Sequence, residues 1–334
     1  MVLKLFDKYI KLMKIIFLIL FTALMLDPFG ITYAETTDVE YPYPVSYLDI
    51  TIESVPVRIA YMDVKPAAAN GRTVMLLHGK NFNGYYWKDV ITSLSDSGFR
   101  VVVPDQAGWG KSGYPDIHYS FHLMSWTMKK LLDTLGVDKT DIIAHSMGGM
   151  LGTRFTLIYP ATVNKLILEN PIGLEDYKTF VPYQTVEKQY EKEVGATYES
   201  YKKYQQTYYP VWKPEYEQYV QAQADALSNP DFERIAFVNA VTYQMIYEQP
   251  VVHEFKDLKV PVCFLIGVED RTIVGKGLLT KEMQESRGRV AELARELTIK
   301  IPVAEIIEFT GVGHIPHIQE FGLFMNAVYY ALKK

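Results

Sequence analysis

The sequence predicts an α/β fold, a mostly parallel sheet covered by helices on both faces. From about residue 45, short apolar runs alternate with stretches of helical periodicity, the pattern of strands joined by crossover helices. Most of these runs are continuous rather than alternating, as strands buried on both faces are. The alternation fails between about Ile172 and Lys256 and then resumes, which predicts a large insertion within one domain.

Taken in order, Ile50 and Ile52 alternate with Asp49, Thr51 and Glu53, and Val55, Val57, Ile59 and Tyr61 alternate with their neighbours. This is a hairpin at a sheet edge. Thr73–Leu77 is the first continuous run and ends at His78-Gly79. Val101–Val103 ends at Pro104-Asp105, Ile142–Ala144 at His145-Ser146, and Leu166–Leu168 at Glu169-Asn170-Pro171. Val260–Gly267 and Ile306–Phe309 complete the set. Between them, Phe121, Met124, Met128, Leu131, Leu132 and Leu135 recur at helical spacing after Ser120, a good N-cap. Met147, Leu151, Phe155 and Ile158 repeat the pattern after Ser146, and Phe321, Phe324, Met325 and Val328 mark a closing helix. The stretch 172–256 carries 12 of the 25 tyrosines, with Trp212 and polar helical runs such as Glu187–Tyr204. No Gly/Ser/Pro linker bounds it, so it reads as a helical lid over the strand ends rather than a separate domain.

The N-terminus has a different character. Lys4, Lys8, Lys11 and Lys14 precede an apolar run from Ile15 to Leu26, followed by Asp27-Pro28 and by Thr32-Tyr33-Ala34. This is the pattern of a signal peptide over residues 1–34. Twelve residues, all apolar except Thr22, fall short of the ~20 that span a bilayer. Export to the periplasm or medium, with cleavage near Ala34 and no stable membrane anchor afterwards, is the expectation. The segment holds four lysines against Asp7 and Asp27, so losing it moves the formal charge from −5 to −7. Such an acidic protein does not advertise binding to nucleic acid. Cys263 is the single cysteine and reads as a small buried apolar residue. The seven histidines are scattered without the spacing of zinc ligands, so no metal or other cofactor is expected.

Ligands in a parallel sheet sit at the carboxyl ends of its strands, which directs attention to the residues after each apolar run. Ser146 lies in Ala144-His145-Ser146-Met147-Gly148-Gly149, where a buried strand turns abruptly into a helix. Small residues two before and two after the serine let the two backbones nearly touch, and the turn presents the hydroxyl above the sheet. A serine needs an adjacent base to attack. His314, in Gly311-Val312-Gly313-His314 after the last strand, is the candidate, with His317 as its alternative. The base in turn needs a carboxylate on its second nitrogen. Asp270 follows the strand ending at Gly267 and has Glu269 and Glu169 as rivals. The backbone N–H groups of Met147 and Lys80 are expected to form an oxyanion hole, with the Lys80 side chain solvated as most lysines are. His78 is expected to hold its loop by hydrogen bonds. Asn81, Phe82 and Trp109 are candidate substrate-binding residues.

His78-Gly79, Pro104-Asp105-Gln106-Ala107-Gly108-Trp109-Gly110-Lys111-Ser112, His145–Gly149, Gly267–Asp270 and Gly313-His314 together resemble the α/β-hydrolase superfamily over roughly residues 45–334. The resemblance implies an eight-stranded sheet with the lid inserted after strand six. The core would then fall into residues 35–171 and 257–334, with the lid at 172–256. It also implies structural roles for Asp105 and the Gly108–Gly110 turn. Superfamily members that act on halides or epoxides place Asp where Ser146 stands, which disfavours those reactions. Carbon–carbon bond hydrolases usually show Asn before the serine and a glycine-rich loop after His-Gly, where this chain has His145 and Lys80-Asn81. Perhydrolysis stays open as a side activity, since the haloperoxidase-like esterases keep the serine. The expectation is a serine hydrolase that cleaves a carboxylic ester of a small or aromatic small-molecule substrate. Carbon–carbon, thioester or lactone cleavage by the same triad is the alternative, and a non-catalytic binding protein a second one.

Overall fold

The computed structural model describes residues 39–301 and 303–334; the segment read as a signal peptide lies outside them. Eight strands form one sheet in the order β1-β2-β4-β3-β5-β6-β7-β8. They are β1 Val45–Ile52, β2 Val55–Val64, β3 Thr73–Leu77, β4 Arg100–Pro104, β5 Thr140–His145, β6 Val163–Glu169, β7 Val262–Gly267 and β8 Ala304–Phe309. β1 and β2 pair antiparallel through a two-residue turn at Glu53-Ser54, both with positive φ, as a tight hairpin requires. β2 is also antiparallel to β4, and every later pairing is parallel.

The continuous apolar runs are explained by the two cores they separate. Met75, Leu77, Ile142, Ala144, Leu166 and Leu168 face one core, with the helices Phe121–Thr134, Met147–Ile158 and Val290–Lys300. Val74, Leu76, Ile143, Ile167 and Cys263 face the other, with Lys88–Asp96 and Phe321–Lys333. Successive side chains point to opposite faces, so a strand between two helical layers has no polar face left. Ser120 caps its helix by accepting from the Leu123 N–H.

Between β6 and β7 the chain forms the helices Val186–Val194, Tyr198–Gln206, Glu217–Ala224 and Phe232–Glu248. The run Glu187–Tyr204 is not one helix. It breaks after Gly195, and Thr197 starts the next helix in a reciprocal capping box with Ser200. Two caps satisfy the backbone groups that a continuous helix would have bonded internally. Among the described residues no helix is long and apolar enough to cross a membrane.

Candidate active site

Between β5 and the helix Met147–Ile158, Ser146 takes φ 55°, ψ −118°, a strained backbone for a residue with a side chain. A Cβ on Gly148 would stand 2.3 Å from the Leu77 carbonyl oxygen, and one on Gly149 would stand 2.5 Å from Cβ of Pro171. Ala144, where the usual pattern has glycine, is accommodated because Gly152 of the helix faces it. The serine is thus held at the apex by backbone packing.

Loops from three other strand ends converge on it. After β8, His314 places Nε2 3.0 Å from Ser146 Oγ. After β7, Asp270 places Oδ2 2.7 Å from His314 Nδ1. The serine hydroxyl and the two rings of contacts set the tautomer: Nδ1–H donates to Asp270, and Nε2 is left to accept from Oγ–H. Asp270 Oδ2 also accepts from Asn170 Nδ2 at 2.8 Å, and Oδ1 accepts from the Thr272 N–H at 2.9 Å. Burial pushes this carboxyl up, but the His314 imidazole and the three hydrogen bonds outweigh it and hold it below its ordinary value. The rivals lie elsewhere. Glu269 is exposed. Glu169 is buried against His317, accepting from its Nδ1 and backbone N–H at 2.9 and 2.8 Å. His317 stacks under Trp87 and does not reach the serine hydroxyl.

A hydrogen-bonded relay, which the sequence reading missed, ties the loop after β3 to the His314 loop. The Gly79 N–H donates to Tyr86 Oη at 2.9 Å, so the Tyr86 hydroxyl donates to His145 Nδ1 at 3.0 Å. His145 Nε2–H then donates to the His314 carbonyl at 2.9 Å. His78 is fixed in the same way. Its Nε2 accepts from the Gln106 N–H at 3.0 Å, so its proton is on Nδ1 and is given to the Gly79 carbonyl. Gly79 lies against the serine, since a Cβ there would stand 3.1 Å from that of Ser146. The next amide is that of Lys80, whose carbonyl is held by Trp109 Nε1. Among the described residues, neither the Lys80 nor the Met147 N–H has a hydrogen-bond acceptor, so both are available to an anionic oxygen.

The insertion also reaches the site. The Tyr208 ring stacks on His314 at 4.7 Å, its carbonyl accepts from the His314 N–H at 2.7 Å, and its hydroxyl accepts from Asn81 Nδ2 at 2.8 Å. Tyr208, Tyr86, Asn170 and Thr272 are the site residues that sequence reasoning did not name. Only Asn170, a polar residue at the end of a core strand, carried a local signal. Asn81 and Phe82, on the loop that continues from Gly79, and Trp109 line a cavity together with Tyr201 and Tyr219 of the insertion. Lys80 lines it too. Its side chain is half-buried, and burial lowers its pKa, which corrects the expectation of a solvated lysine. The cause is the insertion, which covers that loop.

Asp105 accepts from Tyr41 Oη and from the backbone N–H groups of Gly84 and Lys111 at 2.6, 2.6 and 2.8 Å, which is a structural role. The buried groups predict a pH dependence of stability. Burial lowers His78 from 6.5 to about 4, and burial together with the neighbouring His314 and His317 holds His145 well below its ordinary value. As the pH falls below 6.5 the unfolded chain therefore binds protons on both imidazoles that the folded protein resists, down to about pH 4 for His78. Asp105 opposes this, because burial raises it from 3.8 to about 6 and the folded state takes that proton first. Asp141, raised by burial, acts in the same direction as Asp105 at lower pH, and each net proton that favours the unfolded state is worth about 1.4 kcal/mol per pH unit. Urea denaturation is expected to show a loss of about 2 kcal/mol between about pH 6 and pH 4.5; stability that rises on acidification would contradict these assignments.

Three comparisons bear on this geometry. A profile of the alpha/beta hydrolase fold family matches residues 72–210. The crystal structure of a probable hydrolytic enzyme from Pseudomonas aeruginosa PAO1 is 41% identical, covers 91% of this chain and 99% of its own, and superposes with a TM-score of 0.88. An enol-lactonase from Burkholderia xenovorans LB400 shares the fold at 18% identity, covering 86% of this chain and all of its own, TM-score 0.66. Among curated proteins, a 2-hydroxy-6-oxononadienedioate/2-hydroxy-6-oxononatrienedioate hydrolase from Paraburkholderia phymatum is 34% identical over 121 residues, 35% of this chain and 42% of its own length. The chain spans about a third to two fifths of the curated relatives it matches.

Proposed function

Because the chain belongs to the α/β-hydrolase superfamily and is a hydrolase, we propose that it is a serine hydrolase cleaving a carboxylic ester of a small or aromatic substrate through an acyl-enzyme on Ser146. The observation that carries this reading is the unbroken line from Ser146 Oγ to His314 at 3.0 Å and from His314 to Asp270 at 2.7 Å. Ser146 Oγ attacks the ester carbonyl while His314 Nε2 takes its proton, and Asp270 steadies the imidazolium. The tetrahedral oxyanion is received by the N–H groups of Lys80 and Met147. The intermediate collapses, and the alcohol leaves with the proton from His314. Water then repeats the sequence on the acyl-enzyme, releasing the acid and restoring the serine.

The relatives that include a carbon–carbon hydrolase and an enol-lactonase support a second reading, the same triad acting on another acyl-type bond. A non-catalytic binding protein has no use for the free amides and the aligned triad. A fluorophosphonate probe is expected to label Ser146 stoichiometrically, and the labelled enzyme to lose hydrolysis of 4-nitrophenyl acetate. Labelling with turnover of thioesters or lactones but not esters would favour the second reading, and folded protein that resists the probe would remove both. Export, with cleavage near Ala34, belongs to the same proposal.

A further inference from the structure

The cavity lined by the loop after Gly79 is built with one sign of charge. Lys80 is the single charged residue among those that line it. Its ammonium makes no ion pair or hydrogen bond and stacks on no ring among the described residues. The charged groups that act on it are Glu193 and Lys192 of the helix Val186–Val194, one of each sign, and neither is bonded to it. Burial favours its neutral form, and the Glu193 carboxylate offsets that only in part, so the structure holds a cation to which no protein carboxylate is bonded. The other polar side chains there include Tyr201 and Asn239, which likewise have no partner. Lys80 is the donor-only group among the three, and the Tyr201 hydroxyl and the Asn239 amide line the same cavity and can donate as well.

Their position relates them to the reaction. The cavity floor is the segment Lys80–Asn83, and the preceding residue, Gly79, lies against Ser146. Lys80 is thus one residue along the chain from the glycine that lies against the serine, which brings an anionic group held by it near the reacting carbonyl. The loop is fixed at both sides, through the Gly79 N–H to Tyr86 and the Lys80 carbonyl to Trp109, so the lysine is offered from a rigid base.

Resting on the serine-hydrolase reading, we propose that Lys80 is the specificity determinant of this site, and that its side chain, with Tyr201 and Asn239, selects substrates that carry a carboxylate a few bonds from the bond cleaved. The lysine then serves twice, with its N–H toward the oxyanion and its ammonium toward the substrate's own charge. The carboxylate belongs to either the acyl or the alcohol half, and two substrate pairs separate these.

The test compares mono-4-nitrophenyl glutarate with its methyl ester, and 4-acetoxybenzoate with methyl 4-acetoxybenzoate, each pair differing in charge at nearly constant shape. For one pair, kcat/KM is expected to favour the anion by about 10- to 100-fold, the scale of a hydrogen bond to a charged group. Lys80→Met should bring that ratio close to one, mainly through KM of the anionic substrate, and Lys80→Arg should keep most of it. A ratio near one in the wild-type protein for both pairs, or a preference that survives Lys80→Met, overturns the proposal. Binding separates it from the catalytic reading. Titration calorimetry of the Ser146→Ala protein with glutarate and with 4-hydroxybenzoate should show binding of at least one that Lys80→Met weakens at least about tenfold. If neither anion binds, or the second substitution changes nothing, the proposal fails whatever the esterase assays show. If the anion binds and no ester is cleaved, the catalytic reading fails instead.

Discussion

Ser146→Ala is expected to lower kcat for an activated aryl ester by about 10⁴- to 10⁶-fold while leaving the protein folded. The hydroxyl makes one side-chain hydrogen bond, to His314 Nε2, and the backbone at the apex is held by the close approach of Gly148 and Gly149 to their neighbours. Nothing structural is therefore lost with Oγ, whereas the covalent route is lost entirely. The residual rate is what the free amides of Lys80 and Met147 and the bound geometry supply to direct attack by water. Circular dichroism and the thermal midpoint should match the wild type, and stopped-flow traces should lose any acyl-enzyme burst. A variant within tenfold of the wild-type rate would remove Ser146 as the nucleophile.

Asp270→Asn is expected to lower kcat by about 10⁴-fold, although an amide is nearly isosteric with the carboxylate. The reason lies in the donors around it. Oδ2 accepts from both His314 Nδ1–H and Asn170 Nδ2–H, and Oδ1 accepts from the Thr272 N–H. An amide has one oxygen for two positions, each already faced by donors. With its oxygen toward Thr272, its NH₂ meets His314, which must turn to the tautomer protonated on Nε2 and can no longer accept the serine proton. With its oxygen toward His314, its NH₂ opposes the Thr272 N–H and the loop after β7 is pushed apart. Steady-state kinetics should show the loss in kcat, and the imidazole N–H resonance bonded to Asp270 should vanish from the low-field proton spectrum. Glu269→Gln, at an exposed position, is expected to change the rate less than twofold. Equal losses in the two variants would sink the assignment of Asp270.

The strands and the serine turn were legible because the signals that encode them are local. Leu76 and Leu77 point to different cores, so each parallel strand reads as a continuous apolar run bounded by turn residues. The sharp turn at Ser146 requires small neighbours at fixed offsets, and those offsets survive in any linear reading. The same logic located His314 and Asp270, each just beyond a buried strand. It stopped at Tyr86 and Tyr208, which resemble the other tyrosines of the chain. What distinguishes them is a partner 59 residues away for Tyr86 and 127 for Tyr208.

By itself the chain determined the sheet, the apex serine and the order of the three triad side chains, since period-two burial and turn geometry are properties of neighbouring residues. Tertiary structure alone decided which carboxylate meets which imidazole, giving Asp270 to His314 and Glu169 to His317. It also decided that Lys80 is half-buried under an insertion rather than fully solvated. Both outcomes depend on where loops from distant strand ends come to rest, and on how little water remains between them once they do.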